Sequence, residues 1–254
     1  MINIDIIPCL NDNYCYIIND SISKLTGAVD PSEFNPIDDF IKKKYKKLDY
    51  ILNTHHHNDH IGGNEELKKK YNSKIAASTM DRDRIPNIDI LLKEDEIFKF
   101  GDISFKIIFT PGHTSGHIGF YAAKEKIIFT GDTLFSLGCG RIFEGTYSQM
   151  FQSINKIKKL PNDTKIYCGH EYTKNNLIFC LRYENNNAAL KEKLSWVNKR
   201  LSNGLPTVPT TLKEELETNI FLRCNNIGLK DSLQMTGASD EDIFEKLRDL
   251  KDNF

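Results

Sequence analysis

The stretch Leu48-Asp49-Tyr50-Ile51-Leu52-Asn53-Thr54-His55-His56-His57-Asn58-Asp59-His60-Ile61-Gly62-Gly63 reads as a buried strand running straight into a polar cluster. Leu48–Asn53 is a short apolar run, the pattern of a strand covered on both faces. Four of the seven histidines of the chain then fall within six residues. Neutral imidazole is the commonest side-chain metal ligand, and packing does not explain such density. In an extended segment alternate side chains share a face. His55 and His57 can therefore point at one metal while His56 points away. The chain must then turn, which brings Asp59 and His60 round to a second position. Gly62 and Gly63 follow where little bulk is tolerated and a helix begins.

Working outward, three further segments repeat one device: an apolar strand, a glycine, then a ligand-type residue. Ile107–Gly112 ends in His113, Ile127–Gly131 ends in Asp132, and Ile166–Gly169 ends in His170. His117, four residues past His113, is expected to support the site by hydrogen bonding, as is His56. The tally of ligands is then His55, His57, Asp59, His60, His113, Asp132 and His170. A single zinc ion takes about four ligands, so seven point to two metals, roughly 3.5–4 Å apart and bridged by a carboxylate and a water. Asp132 is the natural bridge, being short and standing between the other two ligand sets. Mixed His/Asp ligation suits zinc first, with iron or manganese as alternatives.

The first two-thirds of the 254 residues reads as short strands with a few helices. Strands are expected at Ile2–Ile7, Tyr14–Ile18, a segment ending Ala28–Asp30, Leu48–Asn53, Lys74–Ala77, Ile103–Phe109, Gly119–Ala122, Lys126–Phe129 and Lys165–Cys168. Helices are expected at Pro36–Tyr45, Gly62–Tyr71 and Ser148–Lys158. After Tyr172 the character changes to helix: Asn175–Tyr183, Ala188–Ser202 and Asp240–Leu250, with a Pro-rich linker Pro206–Pro209. Ser239 is the expected N-cap of the last of these. The expected division is a strand-rich domain over 1–172 and a helical one over 173–254.

Composition excludes several classes. The net charge of −1 argues against nucleic acid or a membrane surface as a partner. No apolar stretch approaches the ~20 residues of a membrane span. Residues 1–20 lack the pattern of a signal peptide, because polar residues interrupt them. The six cysteines form no C-x-x-C pair, which suits a reducing compartment. A cytoplasmic monomer is the default expectation.

These motifs resemble the metallo-β-lactamase superfamily: Thr54–Gly63, Thr110-Pro111-Gly112-His113, Gly131-Asp132 and Gly169-His170. Three further segments resemble, within it, the glyoxalase II (hydroxyacylglutathione hydrolase) family. They are Gly131–Phe135 with Gly138–Arg141, Gly169–Thr173 with Asn176-Leu177, and Asn219–Arg223. The resemblance implies an α/β fold, an αββα sandwich with the metal site at one edge, and a C-terminal helical domain that helps bind glutathione. It implies that His55, His57 and His113 hold one metal, that Asp59, His60 and His170 hold the other, and that Asp132 bridges. It implies hydrolysis of S-D-lactoylglutathione to D-lactate and glutathione, the second step of methylglyoxal detoxification. It implies a metal-held hydroxide as the nucleophile toward the thioester, with Asp59 and Asp132 as the catalytic ligands.

The substrate contacts implied are Arg141, Phe143, Tyr172 and Arg223. Arg141 stands where lysine is common, and Phe143 where many relatives have a second tyrosine. The lysine that often follows Arg223 is missing, which leaves Lys230 as the nearest substitute. The rival readings are a mononuclear-iron glutathione persulfide dioxygenase on the same fold and a non-catalytic glutathione-binding module.

Overall fold

The computed structural model describes residues 2–254. Its first sheet runs in chain order: β1 (Ile2–Cys9), β2 (Asn13–Asp20), β3 (Thr26–Val29), β4 (Tyr50–Leu52), β5 (Lys74–Ser78) and β6 (Ile90–Leu92). A second sheet contains β7 (Ile97–Phe100), β8 (Ile103–Phe109), β9 (Ile118–Ala122) and β10 (Ile127–Gly131). A small hairpin follows, β11 (Leu134–Phe135) and β12 (Gly138–Cys139). Then β13 (Lys165–Cys168) pairs parallel to β10, and β14 (Thr210–Thr211) closes that edge.

The alternation of side chains along each strand divides the apolar residues into layers. Tyr14, Tyr16 and Ile18 of β2, Leu52 of β4 and Ala76 of β5 face Phe105, Ile107, Phe120, Ile127 and Phe129 of the second sheet. This is the sheet-on-sheet core. The opposite faces are covered by helices. Cys15, Ile17, Ala28, Ile51 and Ile75 pack on α1 (Phe34–Lys44) and α3 (Asn64–Tyr71), through Ile37, Ile41 and Leu67. Between these two helices in sequence lies the single turn α2 (Asn58–Ile61), which carries Asp59 and His60.

On the far face, Ile108, Tyr121, Ile128 and Ile166 pack on α4 (Tyr147–Lys158) and on the tail. The tail comprises α5 (Thr173–Tyr183), α6 (Ala188–Ser202), α7 (Leu212–Thr218), α8 (Ile227–Ser232) and α9 (Asp240–Asp252). The fold is the expected αββα sandwich with a helical C-terminal segment.

The departures from expectation are local. The helix expected over Gly62–Tyr71 begins at Asn64, as α3, and the separate turn α2 precedes it. A Cβ at Gly62 would lie 2.3 Å from the Ser32 carbonyl oxygen, so the glycine admits the crossing backbone there. The Pro-rich linker leads directly into β14, so the tail contributes an edge strand to the second sheet. Ser239 does cap α9, in a capping box with Asp242.

Buried Glu215 of α7 ties the tail to the hairpin. Its carboxylate accepts from Leu137 N at 2.8 Å, Thr210 Oγ1 at 2.8 Å and Asn219 Nδ2 at 2.9 Å. Burial raises its pKa against these donors. Glu215→Ala strands three donors and is expected to cost about 2–4 kcal/mol in urea unfolding, whereas Glu215→Gln, which keeps the acceptor, stays within about 1 kcal/mol. Equal losses for both variants would refute this account.

Candidate metal centre

The ligand-type residues converge at one edge of the sandwich, where β4, β8, β10 and β13 all end. His55, His57 and His113 bring three ring nitrogens within 4.8 Å of one another, and Asp59, His60 and His170 form a second such trio. Asp132 spans the two. Its Oδ2 lies 3.4 Å from His113 Nε2 and 3.2 Å from His170 Nε2, and its Oδ1 lies 3.5 Å from His60 Nε2. All seven residues singled out from the sequence are therefore brought together.

Local backbone explains the placement of Asp132. The β10–β13 register shifts between Phe129 and Gly131, and such an irregularity re-aims the residue that follows it. Gly131 has φ +46°, and a Cβ there would meet Thr54 Oγ1 at 2.3 Å. Gly169 is equally confined: its Cβ would sit 2.3 Å from Asp132 Oδ1. His117 fixes the backbone of Asp132, accepting from its N–H through Nε2 at 3.0 Å. The His117 ring proton then sits on Nδ1, facing Thr110 Oγ1 at 2.8 Å, and the ring stacks on His55.

The outer nitrogen of most ligand rings is held by an acceptor, and this fixes the tautomer. His113 Nδ1 donates to the Arg141 carbonyl at 2.7 Å. His60 Nδ1 meets Asp30 Oδ2 at 3.1 Å, and His170 Nδ1 meets Asp12 Oδ1 at 2.8 Å. Thr54 Oγ1 donates to Asp30 at 2.6 Å and so accepts from His55 Nδ1 at 3.0 Å. The inner nitrogens are left facing one another: His55 Nε2 and His113 Nε2 stand 3.2 and 3.0 Å from His57 Nδ1.

Burial, with neighbouring histidines, holds His55 well below the usual imidazole range and His57 at about 4, so these rings are neutral. Their converging lone pairs suit a cation. Asp132 is buried, and its Oδ1 has no hydrogen-bond partner among the described residues. Burial opposes its charge, but His170 and His60 hold its carboxyl well below the usual range. In return, and against their own burial, Asp132 raises His60 to about 10 and His170 to about 11. The donor set thus fits a pair of divalent cations. Asp30, which also lies near His55 and His60, has its oxygens committed to Thr54 and His60; it orients ligands.

The centre floors a cavity of about 630 Å³. Arg141, Phe143 and Tyr172, three of the residues singled out from the sequence, line it. Tyr172 lies parallel to the His170 ring, with centroids 4.7 Å apart. Phe143 is 60% exposed and stands edge-on to His57 and His113.

Arg223 is not brought to this cavity. It forms a two-pronged pair with Glu184 at 2.9 and 3.0 Å and donates to the Leu216 carbonyl, stapling the tail together along a separate polar cleft. Lys230 is likewise engaged elsewhere, with Ala238 O and Asp240. Beside Arg141, the cavity is lined by the cations Arg248 and Lys251 of α9, which were not singled out from the sequence. Arg248 donates to Cys139 O at 2.7 Å and to Asp252 Oδ1 at 2.8 Å, and the same carboxylate oxygen holds Arg141 at 3.1 Å. Lys251 bonds to Asn175 and lies near the Phe179 and Phe254 rings. Burial, followed by Arg248, lowers its pKa to about 8. The i, i+3 spacing of Arg248 and Lys251 on an amphipathic helix is the one signal that could have found them.

Residues 29–170 match a family model described as the metallo-beta-lactamase superfamily, and residues 171–254 match one described as hydroxyacylglutathione hydrolase C-terminus. A hydroxyacylglutathione hydrolase of Pelagibacter ubique (strain HTCC1062) is 52% identical over 251 residues, 99% of each chain. One from Methylococcus capsulatus is 42% identical over 254 residues, 100% of this chain and 99% of that one. The fold is shared with ETHE1 from Myxococcus xanthus, with a TM-score of 0.69 and 20% identity over 98% of this chain and 91% of that one. It is also shared with the BLEG-1 B3 metallo-β-lactamase, with a TM-score of 0.67 and 23% identity over 87% and 99%. The chain belongs to the hydroxyacylglutathione hydrolase family of the metallo-β-lactamase superfamily.

Proposed function

We propose that this chain hydrolyses S-D-lactoylglutathione and related glutathione thioesters to the hydroxy acid and glutathione. The observation that carries the reading is the Asp132 carboxylate, which reaches both ligand trios on the floor of a cavity edged by Arg141, Arg248 and Lys251. His55, His57 and His113 would hold one divalent ion and Asp59, His60 and His170 a second, with Asp132 shared. Zinc is the first candidate, and iron and manganese are the alternatives. When bound, such a pair supplies a hydroxide at neutral pH and an electrophile for the thioester carbonyl.

The chain does the rest. Asp59 and Asp132 orient the nucleophile. Arg141, Arg248 and Lys251 meet the carboxylates of glutathione, two of them through guanidinium forks. The Phe143 ring leaves the acyl side open to solvent. The leaving group is a thiolate with a pKa of about 8.5, which needs no separate acid at neutral pH. Residues 1–172 are taken as the catalytic domain and 173–254 as the substrate-binding one.

The C-terminal family match supports the hydrolase over a persulfide dioxygenase, and the complete ligand set supports catalysis over binding alone. Among the described residues no helix is long and apolar enough to cross a membrane, and all six cysteines are buried and unpaired. These features support a cytoplasmic location; a monomer is the state proposed.

Purified protein should hydrolyse lactoylglutathione and lose rate on a thioester that lacks the glycyl carboxylate. Oxygen uptake with glutathione persulfide, without thioester hydrolysis, would favour the dioxygenase instead. Asp132→Ala is expected to lower kcat by more than the roughly 10–100-fold typical of a supporting residue, with loss of metal. Undiminished turnover at unchanged metal content would end the assignment.

Lys251→Ala should raise KM by roughly tenfold, the scale of one charge-assisted hydrogen bond, with little change in kcat. Arg223→Ala should leave KM unchanged; the reverse pattern would restore Arg223 as the contact.

The depressed pKa of Lys251 gives a pH test. Its charge is present below about pH 8 and lost above, so KM should rise through that range. Lys251→Arg keeps its charge and should flatten the rise. A KM profile identical in both proteins would exclude Lys251 from substrate binding.

A further inference from the structure

The turn between β1 and β2 reaches the metal centre from the far end of the chain. Asn13 is buried, and its Nδ2 donates both to the Asp59 carbonyl and to Asp59 Oδ2, each at 3.0 Å. Its neighbour Asp12 accepts from His170 Nδ1 at 2.8 Å. Backbone bonds lace the same turn to the His170 segment: Tyr14 N to Gly169 O at 2.8 Å, and Glu171 N to Asp12 O at 2.8 Å. The Tyr14 hydroxyl adds a bond to Glu171 at 2.5 Å.

Both side chains serve the same trio, Asp59, His60 and His170. Among the described residues, neither has a hydrogen bond to His55, His57 or His113. His55 is steadied by Thr54 and by stacking on His117, and His113 by the Arg141 carbonyl. Asp30 serves both trios, through Thr54 and through His60, whereas Asp12 and Asn13 serve the second alone.

We infer that Asp12 and Asn13 are positioning residues for the second metal position, so that the β1–β2 turn sets whether the centre holds one ion or two. The inference rests on the two-ion reading above. Asn13 spends its amide donors on Asp59 and fixes its rotamer, holding Oδ2, the oxygen that faces His60 and His170. Asp12 fixes the His170 tautomer and makes the inner nitrogen a better donor. Asp12 is 41% exposed at its side chain, so water competes for its bond. Asn13, being buried, carries the larger effect.

The test uses the full-length protein, dialysed against a graded series of chelator-buffered zinc, with metal per chain read by mass spectrometry. Wild type is expected to hold two ions and to release them at two midpoints. Asn13→Ala should lose one ion at free zinc about 10–100-fold higher than wild type, and Asp12→Ala should lie at the low end of that range. The other midpoint should not move. Asp12→Asn keeps an acceptor oxygen and should return the shifted midpoint toward wild type, a rescue that general damage would not show. Two wild-type midpoints that are unchanged in the variants, or that move together, overturn the inference alone. A wild-type chain that never holds more than one ion overturns the two-ion reading as well.

Discussion

The structure depends on one buried carboxylate. Asp132 lies at the bottom of the edge cleft, where an isolated charge would be prohibitively costly. Its neighbours meet that cost from every side. Imidazoles from the loops after β4, β8 and β13 face its oxygens, and His117 takes its backbone N–H. The approach is so close that Gly140 and Gly169 admit no side chain: a Cβ at Gly140 would stand 1.9 Å from the Asp132 carbonyl. A buried carboxylate that demands positive charge, beside neutral His55 and His57 rings whose lone pairs converge, is a cation site before it is anything else.

The tail is then more than an added domain. Asn219, from one of the segments that carried the family resemblance, touches no reacting group. It donates to Gly138 O and to Glu215, and its Oδ1 caps Phe221 N. Asn176 holds Ser136 O. These residues lock the β11–β12 hairpin against the helices, and that hairpin delivers Arg141, whose carbonyl orients His113. The hairpin that steadies one metal ligand also presents a cation to the cavity, so ligand placement and substrate placement share one support.

This explains what was legible in the sequence. The seven candidate ligands could be read because local rules mark them: alternation for His55 and His57, a glycine at a strand end before His113, Asp132 and His170, and the turn after the histidine run for Asp59 and His60. Individual strands such as Tyr14–Ile18 could be read from their short apolar runs, while their stacking into αββα layers came from the family resemblance. Arg223 was singled out because its sequence neighbourhood resembles the family's, whereas its neighbour in space is Glu184, away from the cavity. Arg248 and Lys251, which line the cavity, were not singled out because a cation on a helix rich in charge carries no local mark. The break between α2 and α3 came from the Pro31–Glu33 backbone crossing over Gly62, a contact between segments about 30 residues apart. Asp12, Asn13 and Asp30 escaped notice for the same reason, since a turn residue becomes a ligand's partner only once the sheet has formed.

The two halves of the cavity are consequently held by different physics. The metal half is fixed by buried hydrogen bonds and excluded side chains, in surroundings where salt and water intrude little. The other half, where the substrate is proposed to bind, is an array of cations on α9 and the β12 loop, with Asp252 already shared between Arg141 and Arg248. The Arg141 side chain is 54% exposed, so its attraction for a carboxylate is screened within about 10 Å at ordinary ionic strength. On the proposed placement, an incoming carboxylate would compete with Asp252 for the same guanidinium groups. Affinity would then answer to solution conditions more than turnover at saturating substrate does. This chain's departures from the family pattern, Arg141 and Phe143, both stand in that half of the cavity.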